Sequence, residues 1–142
     1  MTAALVPELD VSDLAQSLAF YVDVLGFSVV FERREEGFAF LRRGAVELMM
    51  EAAAGPGRRF LTAPLEPPFG RGMNLQIAVA DVCALHDRVI GAGLSPLIAL
   101  EERWYRRADV EAGLRQFVVA DPDGYLLRFA QSLGERPTSS TE

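Results

Sequence analysis

Along the chain, apolar and polar residues alternate, then fall into helical spacing, then alternate again, and this order occurs twice. In the stretch 5–11, Leu5, Pro7, Leu9 and Val11 point one way and Val6, Glu8 and Asp10 the other. That period predicts a strand with one apolar and one mixed face. Pro7 predicts an edge position or the start of pairing. Ser12 and Asp13 supply an N-cap, and Leu14, Leu18, Tyr21, Val22 and Leu25 then recur at helical spacing up to Gly26, predicting a helix over 14–25. Three β-rich stretches follow at 27–31, 38–42 and 45–51, separated by a charged turn and by Gly44, and they predict an antiparallel meander.

Residues 52–72 carry Pro56, Pro64, Pro67 and Pro68 among Ala and Gly, which excludes a long helix or a central strand and predicts a linker. Alternation returns over 74–79, and Ala80-Asp81 opens a second helix striped by Val82, Leu85, Val89 and Ile90. A strand is predicted over 94–100, then a polar, Arg-rich insertion at 101–113 carrying Trp104 and Tyr105 in a loop. Residues 117–131 read as two apolar runs around Asp121-Pro122-Asp123-Gly124. Here Pro122 presets φ, Asp121 accepts backbone N–H groups, and Gly124 takes positive φ at little cost, predicting a hairpin. The two halves match in element order, β-α-β-β-β, at an offset of about 67 residues, as tandem modules would. The expected organisation is one domain over 1–133, with modules at 4–51 and 73–131, and a flexible tail over 134–142.

Composition narrows the partners. Net charge is −6 with no Lys-rich or Arg-rich face to offset it, so nucleic acid is not expected as a partner. Cys83 is the one cysteine, so an internal disulfide is excluded and a reducing cytoplasm is the expected home. No apolar run is long enough to span a bilayer, and no signal peptide is expected, so no membrane partner is expected either. Cys83 beside Ala84 reads as helix packing, His86 as a solvated helix residue, and no Gly-rich phosphate loop joins a strand to a helix.

Phe20-Tyr21 with Leu25-Gly26-Phe27, then Ile77-Ala78-Val79-Ala80-Asp81-Val82, then Asp121-Pro122-Asp123-Gly124-Tyr125 stand in the order and spacing of a known family. From 5 to 131 the chain resembles the vicinal oxygen chelate superfamily, which includes glyoxalase I, extradiol dioxygenases and bleomycin resistance proteins, and among these it is most similar to the bleomycin resistance group. The resemblance implies an α+β fold of two tandem βαβββ modules, a mixed sheet curled around a cavity, and a homodimer holding a small-molecule ligand.

Many enzymes of the family hold one divalent metal on His, Gln or Glu from the first and fourth strands of each module. Lining up the motifs places those positions at Val6, Met49, Asn74 and Arg128. Val6 has no donor, Met49 offers a soft thioether, Asn74 is a weak ligand alone, and Arg128 is a permanent cation. A shifted register at Met49 would bring Leu48, Glu47 or Glu51 instead. No metal, no other cofactor and no catalytic residue is therefore expected, and the reading is a metal-free binding protein for an antibiotic or aromatic metabolite. The alternative is a metal-dependent lyase, isomerase or dioxygenase of the same superfamily.

Alternation assigns Asn74, Gln76, Leu126, Arg128 and Ala130 to the cavity face of the second module, opposite Leu75, Ile77, Val79, Leu127 and Phe129 beneath a helix. In the first module it assigns Val6, Glu8, Asp10, Glu47, Met49 and Glu51. Phe38 and Phe40 share one face, as cavity wall or core, with core the simpler reading. Trp104 and Tyr105 read as ligand stackers or as pins for their loop. The carboxylates would receive a cationic ligand, or Arg128 an anionic one; otherwise Arg128 pairs with Glu47 or Glu8 and fills space. Antibiotic-binding members commonly carry a Trp-Gly pair before the strand that leads into the DPDG-type turn. Here that stretch reads Ala112-Gly113-Leu114, and the one Trp stands earlier.

Overall fold

A computed structural model describes residues 2–138. The chain divides into two compact units, the first running to Arg71 and taking in Asp121–Tyr125, the second formed by Gly72–Ala120 and the chain from Leu126 onward.

The first unit contains β1 (Glu8–Val11), α1 (Leu14–Leu18), β2 (Ser28–Arg33), β3 (Phe38–Arg43) and β4 (Val46–Ala52). Its sheet runs β1-β4-β3-β2, with β1 parallel to β4 and the other pairs antiparallel. Asp13 caps α1 by accepting from the Gln16 amide at 3.1 Å. The predicted helix over 14–25 is present, but its second half, Ala19–Val24, widens into a π-helical turn in which the Leu25 amide reaches back to the Phe20 carbonyl. Consecutive Phe20 and Tyr21 are both buried there. Leu9, Val11, Leu41, Leu48 and Met50 fill the core face of the sheet. The first strand is shorter than alternation predicted. Pairing begins at Glu8, just after Pro7, whose ring leaves no N–H to donate.

The second unit repeats the order with β5 (Asn74–Ala78), α2 (Val82–Gly91), β6 (Ile98–Arg107), β7 (Val110–Ala120) and β8 (Leu126–Pro137), arranged β5-β8-β7-β6. Again the first strand is parallel to the last. Val82, Leu85 and Val89 of α2 and Phe117, Leu127 and Phe129 of the sheet are all buried. Ile90, counted in the apolar stripe, is 48% exposed at the end of α2. His86 is half-buried with its ring edge-on to Phe117 at 5.2 Å, so it is packed and not simply solvated. The fold is thus α+β, two four-stranded mixed sheets, as the repeat implied.

Two stretches differ from expectation. The Arg-rich insertion is no loop: β6 and β7 form one long hairpin that pairs Arg107 with Val110 and Trp104 with Gly113. Its polar composition reflects an edge strand exposed along most of its length, where cross-strand ion pairs replace apolar alternation. The expected tail also begins too early. β8 continues through Pro137, paired to β7 beyond Gly134, while 139–142 lie outside the described residues.

The DPDG turn has the chemistry its sequence implied. Asp121 Oδ1 accepts the amides of Asp123 and Tyr125, both at 2.9 Å, and Oδ2 accepts the Tyr21 hydroxyl at 2.8 Å. Asp123 in turn accepts the amide and hydroxyl of Ser12. Gly124 has φ +98°, and a Cβ there would stand 2.5 Å from Pro68 Cβ and 2.8 Å from its Cα. The Tyr125 hydroxyl donates to the Asp10 carbonyl at 2.9 Å.

Candidate ligand-binding site

On the first sheet, strand pairing sets Glu8 beside Met49 and Asp10 beside Glu51, and then Met49 beside Phe40 and Glu51 beside Phe38. These residues therefore share one face, opposite Leu9, Leu48 and Met50. Phe38 and Phe40 are buried, as the simpler reading of them as core expected, and they lie on the same sheet face as these carboxylates. Phe31, unmarked by the sequence reading, stacks on Phe40 at 5.1 Å and is 45% exposed. The Arg33 guanidinium lies 3.9 Å from the Phe38 ring centre.

Glu47 is already occupied. Arg42 Nη2 donates to it at 2.8 Å and the Ala3 amide donates as well. These donors, the amide first and Arg42 second, hold its carboxyl below the usual carboxylate range. Glu8 and Asp10 behave in the opposite way. Burial pushes the Glu8 carboxyl up, and Glu51 and Asp10 beside it add to the effect. Burial likewise raises Asp10, opposed by the charge of Arg59. Asp10 Oδ1 is buried with no hydrogen-bond partner.

A raised carboxyl is a penalty on the folded state that is absent below the unfolded pKa and grows as pH rises through the folded one. Glu8→Gln should therefore raise the melting temperature at pH 7 and leave it unchanged near pH 3.5, within about 1 kcal/mol because the group is exposed. An equal shift at both pH values, or a loss at pH 7, would contradict this.

The second unit carries a cleft of about 590 Å³ floored by β5, β8, β7 and β6. Asn74 lines it from β5 and Arg128 from β8; Gln76, set directly against Arg128 by strand pairing, lines a neighbouring recess of about 400 Å³ that shares Arg128 and Tyr105. Arg128 Nη2 donates to Gln76 Oε1 at 2.5 Å, and Arg128 Nε is buried without an acceptor. Arg128 thus pairs with an amide of its own unit. Tyr105 sits on β6, 41% exposed, lining the cleft. Trp104 borders it from a strand and not a loop, with its ring over Gly113 (a Cβ there would meet the indole at 2.7 Å) and the Arg136 guanidinium 4.1 Å from its centre. The Trp and Gly that are not neighbours in sequence are thus cross-strand partners in space.

Gln116 and Glu101 belong to the same face and were missed. Gln116 is 4% exposed and donates from Nε2 to the Tyr105 hydroxyl at 2.7 Å and to Glu101 at 3.2 Å. The alternation of Gln116 and Val118 against Phe117 and Val119 carried the signal. Extending the strand upstream of Phe117 would have found it.

The four positions that the resemblance marks for a metal hold Val6, which precedes β1, Met49 on β4, Asn74 on β5 and Arg128 on β8. A guanidinium, a thioether, an amide and an aliphatic side chain do not suit a hard divalent ion. Among the described residues no three His, Cys, Asp or Glu side chains are grouped to hold one.

The Glyoxalase/Bleomycin resistance protein/Dioxygenase superfamily model matches residues 6–129. The chain belongs to this superfamily. It is 30% identical over 138 residues to the bleomycin resistance proteins of Geobacillus stearothermophilus and Staphylococcus aureus, covering 90% of this chain and 96% of theirs. TioX from Micromonospora sp. ML1 has a similar fold, with a TM-score of 0.73 at 23% identity over 91% of this chain and 98% of that one. A virulence protein from Salmonella typhimurium does too, with a TM-score of 0.70 at 23% identity over 92% and 97%. Among the described residues no helix of this superfamily member is long and apolar enough to cross a membrane.

Proposed function

We propose that this superfamily member is a metal-independent binding protein that holds a small organic molecule in the cleft of its second module. The observation that carries the reading is Arg128. A guanidinium stands at a position the family uses for a metal ligand, held by Gln76 and lining a cleft of drug-sized volume. The relatives named for bleomycin resistance support a drug-binding or drug-sequestering role.

The protein is read as a cytoplasmic homodimer. Val29, Val30 and Phe31 support the dimer, being an exposed apolar run on β2, an edge strand of the first sheet.

Native mass spectrometry with elemental analysis, on protein purified without chelators, tests both parts. The expected result is a dimer with far less than one Fe, Mn, Zn or Ni per chain and with ligand capture that survives EDTA. Ligand capture that disappears with EDTA and returns with a divalent ion would overturn the reading.

A further inference from the structure

On the sheet of the second unit, among the described residues, every glutamate has a partner, whereas two arginines, Arg106 and Arg128, have no carboxylate; Arg106 is exposed and donates to the Ala108 carbonyl. All four glutamates of β6, β7 and β8 are matched to an arginine. Glu101 pairs with Arg103, Glu102 with Arg115, Glu111 with Arg136 and Glu135 with Arg107. Arg128 is left with a neutral amide on one nitrogen and a buried Nε with no acceptor. In a chain of net charge −6, this cleft therefore holds an uncompensated cation. Arg128 is only half-buried, and an anion from outside would supply the counter-charge that it lacks within this sheet.

An independent feature points the same way. Gln116 is almost fully buried on the cleft floor, and its amide nitrogen is spent on Tyr105 and Glu101. Its Oε1 is left buried with no donor. Gln116 pairs with Ala130, two residues along β8 from Arg128, so the two residues are diagonal neighbours, with Cα atoms roughly 7–8 Å apart by ordinary sheet geometry. The cleft thus offers a donor cation and, on the diagonal position of the next strand, an unsatisfied acceptor. Tyr105 supplies an aromatic surface on the same face.

We infer that the second-module cleft selects an organic monocarboxylate, its acid group on Arg128 and an O–H or N–H donor at its far end on Gln116 Oε1. This inference rests on the binding reading above and assigns its ligand class. A carboxylate suits the guanidinium because its two oxygens can each accept from a planar donor fork.

The test uses the full-length protein and three ligands of one shape: 4-hydroxybenzoate, 4-hydroxybenzamide and 4-hydroxybenzylamine. Trp104 borders the cleft and is the sole tryptophan, so its fluorescence reports occupancy. Dissociation constants are measured for wild type, Arg128→Gln and Arg128→Lys, with melting temperatures as the folding control. The acid should bind at least roughly tenfold tighter than the amide and amine, as a charge-assisted hydrogen bond implies. Arg128→Gln should abolish that preference and Arg128→Lys retain part of it. Benzoate, which lacks the far donor, should bind more weakly than 4-hydroxybenzoate.

The wild-type series decides the matter even where a variant fails to fold. Equal or tighter binding of the amide or amine, or no response to any of the three, would overturn the inference. Tight metal-independent binding of the amine would do so while leaving the binding function intact. An acid preference that vanishes with EDTA would instead overturn the metal-independent reading.

Discussion

Phe129→Ala is expected to lower the unfolding free energy by about 3–5 kcal/mol, the usual cost of deleting a fully buried aromatic side chain. Phe129 is 0% exposed on β8, with its ring 5.5 Å from that of Phe117, which in turn meets His86 of α2. Removing the ring leaves a cavity between the sheet and α2 that neither the sheet nor the helix can close without breaking its own hydrogen bonds. Phe129 also lies next to Arg128 in sequence and points to the opposite face, so losing its packing loosens the strand that carries the cleft cation. Denaturant unfolding monitored by circular dichroism measures the change. A loss under about 1 kcal/mol would mean that this side of the second unit is loosely packed.

Asp121→Ala comes next, with an expected loss of about 2–4 kcal/mol. Its carboxylate satisfies three donors at once, the Tyr21 hydroxyl and two amides of its own turn. Tyr21 is 0% exposed, so its hydroxyl has no water to replace the lost acceptor. Unsatisfied buried donors cost far more than a surface hydrogen bond contributes. Tyr21→Phe, which removes the donor along with its need, should cost only about 0.5–1.5 kcal/mol. The two variants, compared by denaturant melts, separate the cost of an orphaned donor from the contribution of the bond itself. Equal losses would contradict this account of the turn.

Elements governed by local chemistry were readable from the chain. The DPDG turn, both Asp-capped helices and the linker prolines each follow from residues within a few positions of one another. The core faces were readable because strand alternation is a local rule, and Leu127 and Phe129 fell where it placed them. What failed depended on partners distant in sequence. The β6–β7 hairpin looked like a loop because its stabilising pairs, Glu102 with Arg115 and Trp104 with Gly113, appear only once the two strands face each other. Gln116 was lost with that misreading. Phe38 and Phe40 are core as read, but that they share a face with Glu51 and Met49 follows only from the register of β3 against β4. The status of Glu47 was hidden too, since the Ala3 amide that engages it is remote in sequence.

The decisive measurement is the metal-to-protein ratio of the purified protein, read together with ligand binding before and after chelation. The account predicts a ratio far below one and a dissociation constant unchanged by EDTA, because Arg128 and Gln116 do the holding. A ratio near one per cleft, with binding lost on chelation and restored by Fe, Mn, Zn or Ni, would contradict it.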